Sequence, residues 1–271
     1  MPIISTVLGP MYVEDSGTTN AQTALLWPSL FTDHSMWDRQ VSALRGTGWR
    51  TLALDPPGHG RSVGPGRSFT MDECADAVVQ ILDAMEVRQS VVMLGTSWGG
   101  MIGPRVALRT PERISRMVLF NTTAECPTPL TRANAILLTW MLGIKALDQI
   151  VNGILLSSIL APETRRHIPN IGLDLIKKLR SWDRQRVISS VRSVLVDRDA
   201  TLDALSKIRA PALLISGAED KILPSVFSQR IVERLPGSRH VEVPGAAHLV
   251  PVEAAEAANK LILDFVLQPA T

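Results

Sequence analysis

The chain of 271 residues is poor in cysteine. Cys74 and Cys126 are the two present, and they form neither a CxxC pair nor a metal-ligand spacing. A disulfide framework is excluded, and a reducing compartment is expected. The chain also lacks a long basic run. Its densest cationic groups are Arg165-Arg166-His167 and Lys177-Lys178 with Arg180, and the formal net charge is +2. Nucleic acid is therefore not an expected partner. The opening MPIISTVLGPMYVED has no basic segment followed by an apolar core, so no signal peptide is read there. In the most apolar region, residues 133–162, Lys145 and Asp148 leave uncharged stretches too short to span a bilayer. A cytoplasmic protein without a membrane partner is expected. No internal repeat or low-complexity tract is present.

What is there points to a substantial core. Apolar residues make up 45% of the chain and charged residues 20%, as in soluble globular domains. The length fits one large α/β domain, or one carrying an insertion. Residues 1–20 read as a short hairpin, broken at Gly9-Pro10 and closed by Asp15-Ser16-Gly17. Short apolar runs then alternate with helix-length segments. The runs are Ala24-Leu25-Leu26-Trp27, residues 49–55, Val91-Val92-Met93-Leu94 and Met117-Val118-Leu119-Phe120-Asn121. Helices are expected over 35–45, 71–85 and 100–108. This is the rhythm of a parallel sheet built from βαβ units.

The rhythm stops at about residue 126. Up to residue 206 the spacing predicts helices and no strand: 130–142, 144–160, a segment ending near Trp182, and 184–196. The sheet pattern resumes with residues 212–217. A helix over 224–235, a strand over 239–243 and a final helix over 252–266 follow. The expected organisation is a core of residues 1–125 and 207–271, with residues 126–206 forming an all-helical insertion.

One stretch organises the rest: SVVMLGTSWGGMIGP, residues 90–104. Its G-x-S-x-G follows an apolar strand and opens a helix, the setting that presents a serine nucleophile. Gly95 and Gly99 remove side chains that would clash where strand and helix meet. Ser97 then stands at the strand's carboxyl end, above a helix N-terminus that favours developing negative charge. A serine hydroxyl needs a base, and the base needs a group to fix its tautomer. His248 follows the last strand through Pro244-Gly245-Ala246-Ala247, at the sheet edge where such sites lie. His34, His167 and His240 fall in loop, insertion and strand positions better suited to structural roles. Asp220 follows the strand over 212–217, completing the chain order Ser, Asp, His. Glu219 is the fallback, and Asn121 and Glu125 are the rival positions. Oxyanion donors are expected from the backbone N–H groups of Trp98 and Leu30. His59, between two glycines, is expected to hold neighbouring loops together with Asp55.

Together these residues resemble the α/β-hydrolase superfamily. The resemblance rests on Asp55-Pro-Pro-Gly-His-Gly-Arg-Ser62, Gly95-Thr-Ser-Trp-Gly-Gly100, Gly217-Ala-Glu-Asp220 and Gly245-Ala-Ala-His248. Pro28-Ser-Leu-Phe-Thr-Asp33 and Met36-Trp37-Asp38 look like the 3-oxoadipate enol-lactonase branch and related small esterases. Pro28-Ser29 depart from the His-Gly usual before the oxyanion residue. The resemblance implies a serine esterase or lactonase without metal or cofactor, acting on a small apolar or partly apolar ester or lactone. Its rivals are a C–C bond hydrolase of a vinylogous diketone, a cofactor-free peroxidase and a hydrolase-like ligand receptor. The insertion would be a cap over the site, with Trp140 and Met141 lining an apolar pocket.

Overall fold

The computed structural model describes residues 2–17 and 21–268. Strands β1 (Ile3–Thr6) and β2 (Gly9–Asp15) form the expected hairpin, but it turns at Val7-Leu8, and Gly9-Pro10 belong to β2. Gly9 leaves that turn with a left-handed φ of 87°, so this glycine starts a strand. The outer ends of the expected hairpin, residues 1 and 18–20, lie outside the described residues.

The chain then alternates through β3 (Thr23–Trp27), α1 (Asp38–Gly46), β4 (Arg50–Leu54), α2 (Met71–Ala84), β5 (Val91–Thr96), α3 (Trp98–Arg109) and β6 (Ile114–Phe120). A 3-10 turn, His34–Trp37, precedes α1, so the expected helix over 35–45 begins tighter than an α-helix. Every residue of β3, β4 and β5 is buried, because helices cover both faces of the sheet. Helix α2 shows how sequence sets a boundary. The Thr70 hydroxyl accepts the Glu73 N–H at 3.1 Å, and the Glu73 carboxylate accepts the Thr70 N–H at 2.8 Å. That reciprocal cap contributes about 1 kcal/mol. Ala75, Val78, Ile81 and Leu82 then bury one face of the helix.

Beyond β6 come five helices: α4 (Pro129–Gly143), α5 (Asp148–Ile159), α6 (Pro162–His167), α7 (Pro169–Ser181) and α8 (Arg184–Leu195). Two boundaries differ from the sequence reading. The helix expected over 144–160 begins as a 3-10 turn, Lys145–Leu147, before α5. The segment ending near Trp182 is split into α6 and α7. Pro169 disfavours helical backbone at the residue before it, and Ile168 sits at φ −130° and ψ 59°. The sheet resumes with β7 (Ala212–Gly217), followed by α9 (Val226–Val232) and β8 (Arg239–Val243). The last helix is broken at Ala254 into α10 (Val250–Glu253) and α11 (Ala255–Val266). Among the described residues no single helix is long and apolar enough to cross a membrane.

The eight strands lie in the order β1-β2-β4-β3-β5-β6-β7-β8. Strand β2 runs antiparallel to both neighbours, and the pairings from β4 through β8 are parallel. From β3 the chain moves outward to β4, then crosses back to β5 on the other side of β3. That reversal opens a crevice at the carboxyl ends of β3 and β5, where ligands bind in open α/β sheets. The Pro28 loop and Ser97 both emerge there.

Candidate active site

Ser97 stands between β5 and α3 with φ 53° and ψ −106°, a costly conformation for a side-chain-bearing residue. The surroundings enforce it. The Ser97 N–H donates to the Phe120 carbonyl at 2.8 Å, and the Ser97 carbonyl accepts the Thr122 hydroxyl at 2.9 Å. A Cβ on Gly99 would lie 2.0 Å from the Trp27 carbonyl oxygen, and one on Gly95 would lie 2.2 Å from the Gly99 carbonyl carbon. Both glycines are therefore required by close backbone approach. Among the described residues the Ser97 hydroxyl has no hydrogen-bond partner.

His248 follows β8 and is buried. Its Nδ1 lies 2.8 Å from Asp220 Oδ2. Asp220, just past β7, also accepts the Asn121 side-chain amide at 2.8 Å and the N–H groups of Ile222 and Leu223 at 2.8 and 3.0 Å. Burial pulls the Asp220 carboxyl up. The charge and hydrogen bond of His248, with the Leu223 N–H and the Asn121 amide, outweigh it and hold the group below the ordinary carboxylate range. An ionised Asp220 can only accept, so His248 Nδ1 carries the proton that faces it. Ser97 and His248 line the same cavity.

The loop after β3 supplies donors. Ser29 N–H points at the Met36 sulfur (3.3 Å) and Phe31 N–H at His59 Nε2 (3.2 Å). Between them, the Leu30 N–H has no acceptor among the described residues, and neither has the Trp98 N–H at the start of α3. Phe31 takes a left-handed φ of 65°. The engaged N–H of Phe31 ties the loop to His59.

His59 is that loop's anchor. It is fully buried, its Nδ1 donates to the Pro57 carbonyl at 2.9 Å, and its ring packs against Trp98 and Trp182. Burial pushes its pKa down from 6.5 to about 4. The ring is therefore neutral, as an acceptor for Phe31 must be. Between those two values the unfolded chain binds a proton that the folded protein refuses, so stability falls as pH drops through that window. The unfolding free energy of the parent, minus that of His59→Gln, is expected to shrink by about 3 kcal/mol from pH 7 to pH 4. Urea unfolding at both pH values reads this, and a pH-independent difference would contradict it. The subtraction cancels the opposite slope from His34, which Asp55 holds up against the pull of burial.

The other sequence candidates fall elsewhere. Glu219 does not reach His248; its backbone N–H donates to the Ala246 carbonyl. Glu125 pairs with Arg230 at 2.8 Å. His240 bonds Ser216, and His167 pairs with Glu163 on the surface. Asp33, His34 and Asp55 converge as metal ligands would. Their oxygens already accept from Ser35 and Lys178 on Asp33, and from His34 and Arg61 on Asp55. They form a structural network.

The cavity has a volume of about 470 Å³ and opens between the sheet edge and helices α4 and α5. Met141 lines it. Trp140 does not: it is 60% exposed. On α4 the cavity side runs through Thr131, Asn134, Ala135, Leu137, Leu138 and Met141, the three-to-four spacing of one helix face. Trp140 lies about 140° round the helix from the middle of that face. Apart from His248, no ionisable side chain among the described residues lines the cavity.

Two residues acquire roles here that the sequence reading does not give them. Asn121, the rival candidate, directs its amide to both Asp220 and the Ala247 carbonyl (3.0 Å). A signal for it exists: an asparagine ending a strand tolerates the left-handed backbone (φ 47°) this turn requires. The second is Glu253, which has no local signal at all.

The sequence model for the alpha/beta hydrolase fold matches residues 25–255. The chain is 26% identical to a putative carbamate hydrolase, RutD, of Variovorax paradoxus, over 95% of this chain and 96% of that one. It is 27% identical to 3-oxoadipate enol-lactonase 2 of Acinetobacter baylyi, over 86% and 84%. The crystal structure of the enol-lactonase from Burkholderia xenovorans LB400 superposes with a TM-score of 0.89 at 25% identity, covering 98% of this chain and 100% of that one.

Proposed function

Because the chain belongs to the α/β-hydrolase fold family, we propose that it is a serine hydrolase of small uncharged carboxylic esters or lactones. One observation carries this reading: Asp220 holds His248 in a cavity that Ser97 and Leu30 also line. In the proposed reaction Ser97 Oγ attacks the carbonyl carbon and His248 Nε2 takes its proton. Asp220 stabilises the imidazolium. The tetrahedral oxyanion accepts from Leu30 and Trp98. The intermediate collapses, the alkoxide leaves with the proton from His248, and an acyl group remains on Ser97. His248 then takes a proton from water, whose oxygen attacks the acyl carbon. Collapse releases the acid and returns the proton to Ser97. The insertion acts as a cap over this cavity. The enol-lactonase and carbamate hydrolase relatives are consistent with acyl transfer of this kind.

The wall sets the substrate class. Leu138, Met141, Leu155 and Ile159 offer apolar surface, and among the described residues no cationic side chain lines the cavity to pair with a substrate carboxylate. Burying an unpaired carboxylate costs several kcal/mol. p-Nitrophenyl hexanoate is therefore expected to exceed p-nitrophenyl hydrogen adipate in kcat/KM by about 10²-fold, equivalent to about 3 kcal/mol. A fluorophosphonate should label Ser97 in the same preparation, as read by peptide mass analysis. Equal rates for the two esters would remove the uncharged-substrate claim. Well-folded protein unlabelled at Ser97 would remove the serine-hydrolase reading itself.

A further inference from the structure

The main chain around His248 is not held by regular secondary structure. Three consecutive N–H groups there, those of Ala247, His248 and Leu249, donate to other parts of the molecule. Ala247 and Leu249 both donate to Glu253 Oε1 at 3.1 Å. His248 donates to the carbonyl of Ile159, the last residue of α5, at 3.2 Å. The other oxygen of the same carboxylate faces the insertion. Glu253 Oε2 accepts the Ala161 N–H at 2.7 Å and the Thr164 hydroxyl at 2.9 Å. One partly buried side chain on α10 therefore has both oxygens doubly occupied, one by the histidine loop and one by the junction of α5 and α6.

This arrangement ties two things that could otherwise move separately. Ile159 and Leu155 on α5 line the cavity. The Ile159 carbonyl and the Glu253 carboxylate fix the backbone that carries His248. Displacing the α5–α6 junction would free the His248 N–H and strip Oε2 of both donors. An unpaired, partly buried carboxylate oxygen is costly, so the carboxylate would shift and loosen Ala247 and Leu249 as well. A few tenths of an ångström at His248 matter, since misplacement of about 1 Å costs about 10²-fold in rate.

Resting on the serine-hydrolase reading above, we propose that Glu253 is a positioning residue that makes the placement of His248 depend on docking of cap segment 159–164. It touches neither substrate nor reacting atoms. It acts through the backbone of Ala247 and Leu249.

The test is a double-mutant cycle of Glu253→Gln and Thr164→Val with p-nitrophenyl hexanoate, each rate divided by the Ser97 sites titrated with fluorophosphonate. Glu253→Gln keeps one acceptor oxygen and turns an amide N–H₂ toward a pair of donors. It is expected to lower kcat by about tenfold to 10²-fold, with KM within about threefold of the parent. Thr164→Val removes one donor far from the reacting atoms and is expected to lower kcat by about threefold. In the Glu253→Gln background the Thr164→Val effect should vanish, because it travels through the missing carboxylate. A structural role alone would lower the melting temperature and the number of titrated sites, leaving kcat per site unchanged; that result overturns the proposal. Equal effects of Thr164→Val in both backgrounds also overturn it. If Glu253→Gln does not fold, Thr164→Val alone decides, and an unchanged kcat rejects the coupling. Hydrogen exchange of the peptide spanning residues 246–250 gives a readout independent of turnover. Faster exchange in Thr164→Val supports the clamp and unchanged exchange rejects it, even if an unlabelled Ser97 in the parent has removed the serine-hydrolase reading.

Discussion

Ser97→Ala is expected to lower kcat/KM for p-nitrophenyl hexanoate by about 10⁶-fold and to leave the fold intact. The size follows from what is lost. Without the hydroxyl no acyl-enzyme can form, and His248 has nothing to deprotonate except water. The donors at Leu30 and Trp98 and the apolar cavity would remain, so a residual rate above that in water is expected. The fold survives because the Ser97 side chain makes no hydrogen bond that alanine would break. Its strained backbone is held by the Phe120 carbonyl and the Thr122 hydroxyl, which contact the main chain. The melting temperature should move by a few degrees at most, since a substitution that breaks no contact shifts stability by about 0.5 kcal/mol. Steady-state kinetics with a thermal melt on the same sample reads both. A variant retaining a tenth of the parent rate would mean that Ser97 is not the nucleophile.

Asp220→Asn is expected to cost about 10⁴-fold in kcat/KM, the loss produced by a wrong imidazole tautomer. Oδ1 of Asp220 receives two backbone N–H groups, those of Ile222 and Leu223, so the new amide oxygen will stay there. The amide nitrogen must then occupy the Oδ2 position, facing His248 Nδ1 and the Asn121 amide. A donor facing Nδ1 drives the histidine proton to Nε2, and Nε2 can no longer take the proton of Ser97. Asn121 meets the new donor with its own. Its Oδ1 is buried without a partner, so turning the Asn121 amide over would satisfy the introduced amide, at the expense of the Ala247 carbonyl. The variant should also lose stability that the parent has above the ordinary carboxylate pKa. That contribution disappears from the parent as pH falls through the lowered value of folded Asp220. Urea unfolding at neutral and acid pH should therefore show the two proteins converging in acid. Loss of less than tenfold in rate would reject Asp220 as the group that orients His248.

How far such a site can be read without a structure depends on the range of the interactions. Ser97 is legible because its neighbours along the chain create its setting. An apolar strand, two glycines and a helix start lie within ten residues of it. Asp220 and His248 are legible because each directly follows a strand, and strand ends in a parallel sheet share one edge. Trp140 is the counter-example: composition marks α4 as apolar on several sides, and the side that faces inward depends on the helices it packs against. The split between α6 and α7 is foreshadowed by Pro169, but the break at Ala254 has no such mark.

Patterns along the chain are enough to set the alternation of strands and helices, the strand–turn–helix that places Ser97, the run of helices after β6, and the chain order of the proposed reactive residues. All of these follow from hydrophobic period, backbone permission at glycine and proline, and side-chain capping, which act over a few residues. Packing in three dimensions alone establishes that Asn121 reaches Asp220 across 99 residues, that Glu253 bridges to Ala161 across 92, and that the cavity wall, among the described residues, lacks a cation. Those facts arise where surfaces distant in sequence meet. There a hydrogen-bond partner is chosen by proximity in space and the cost of leaving a buried polar group unpaired, and no pattern along the chain records that choice.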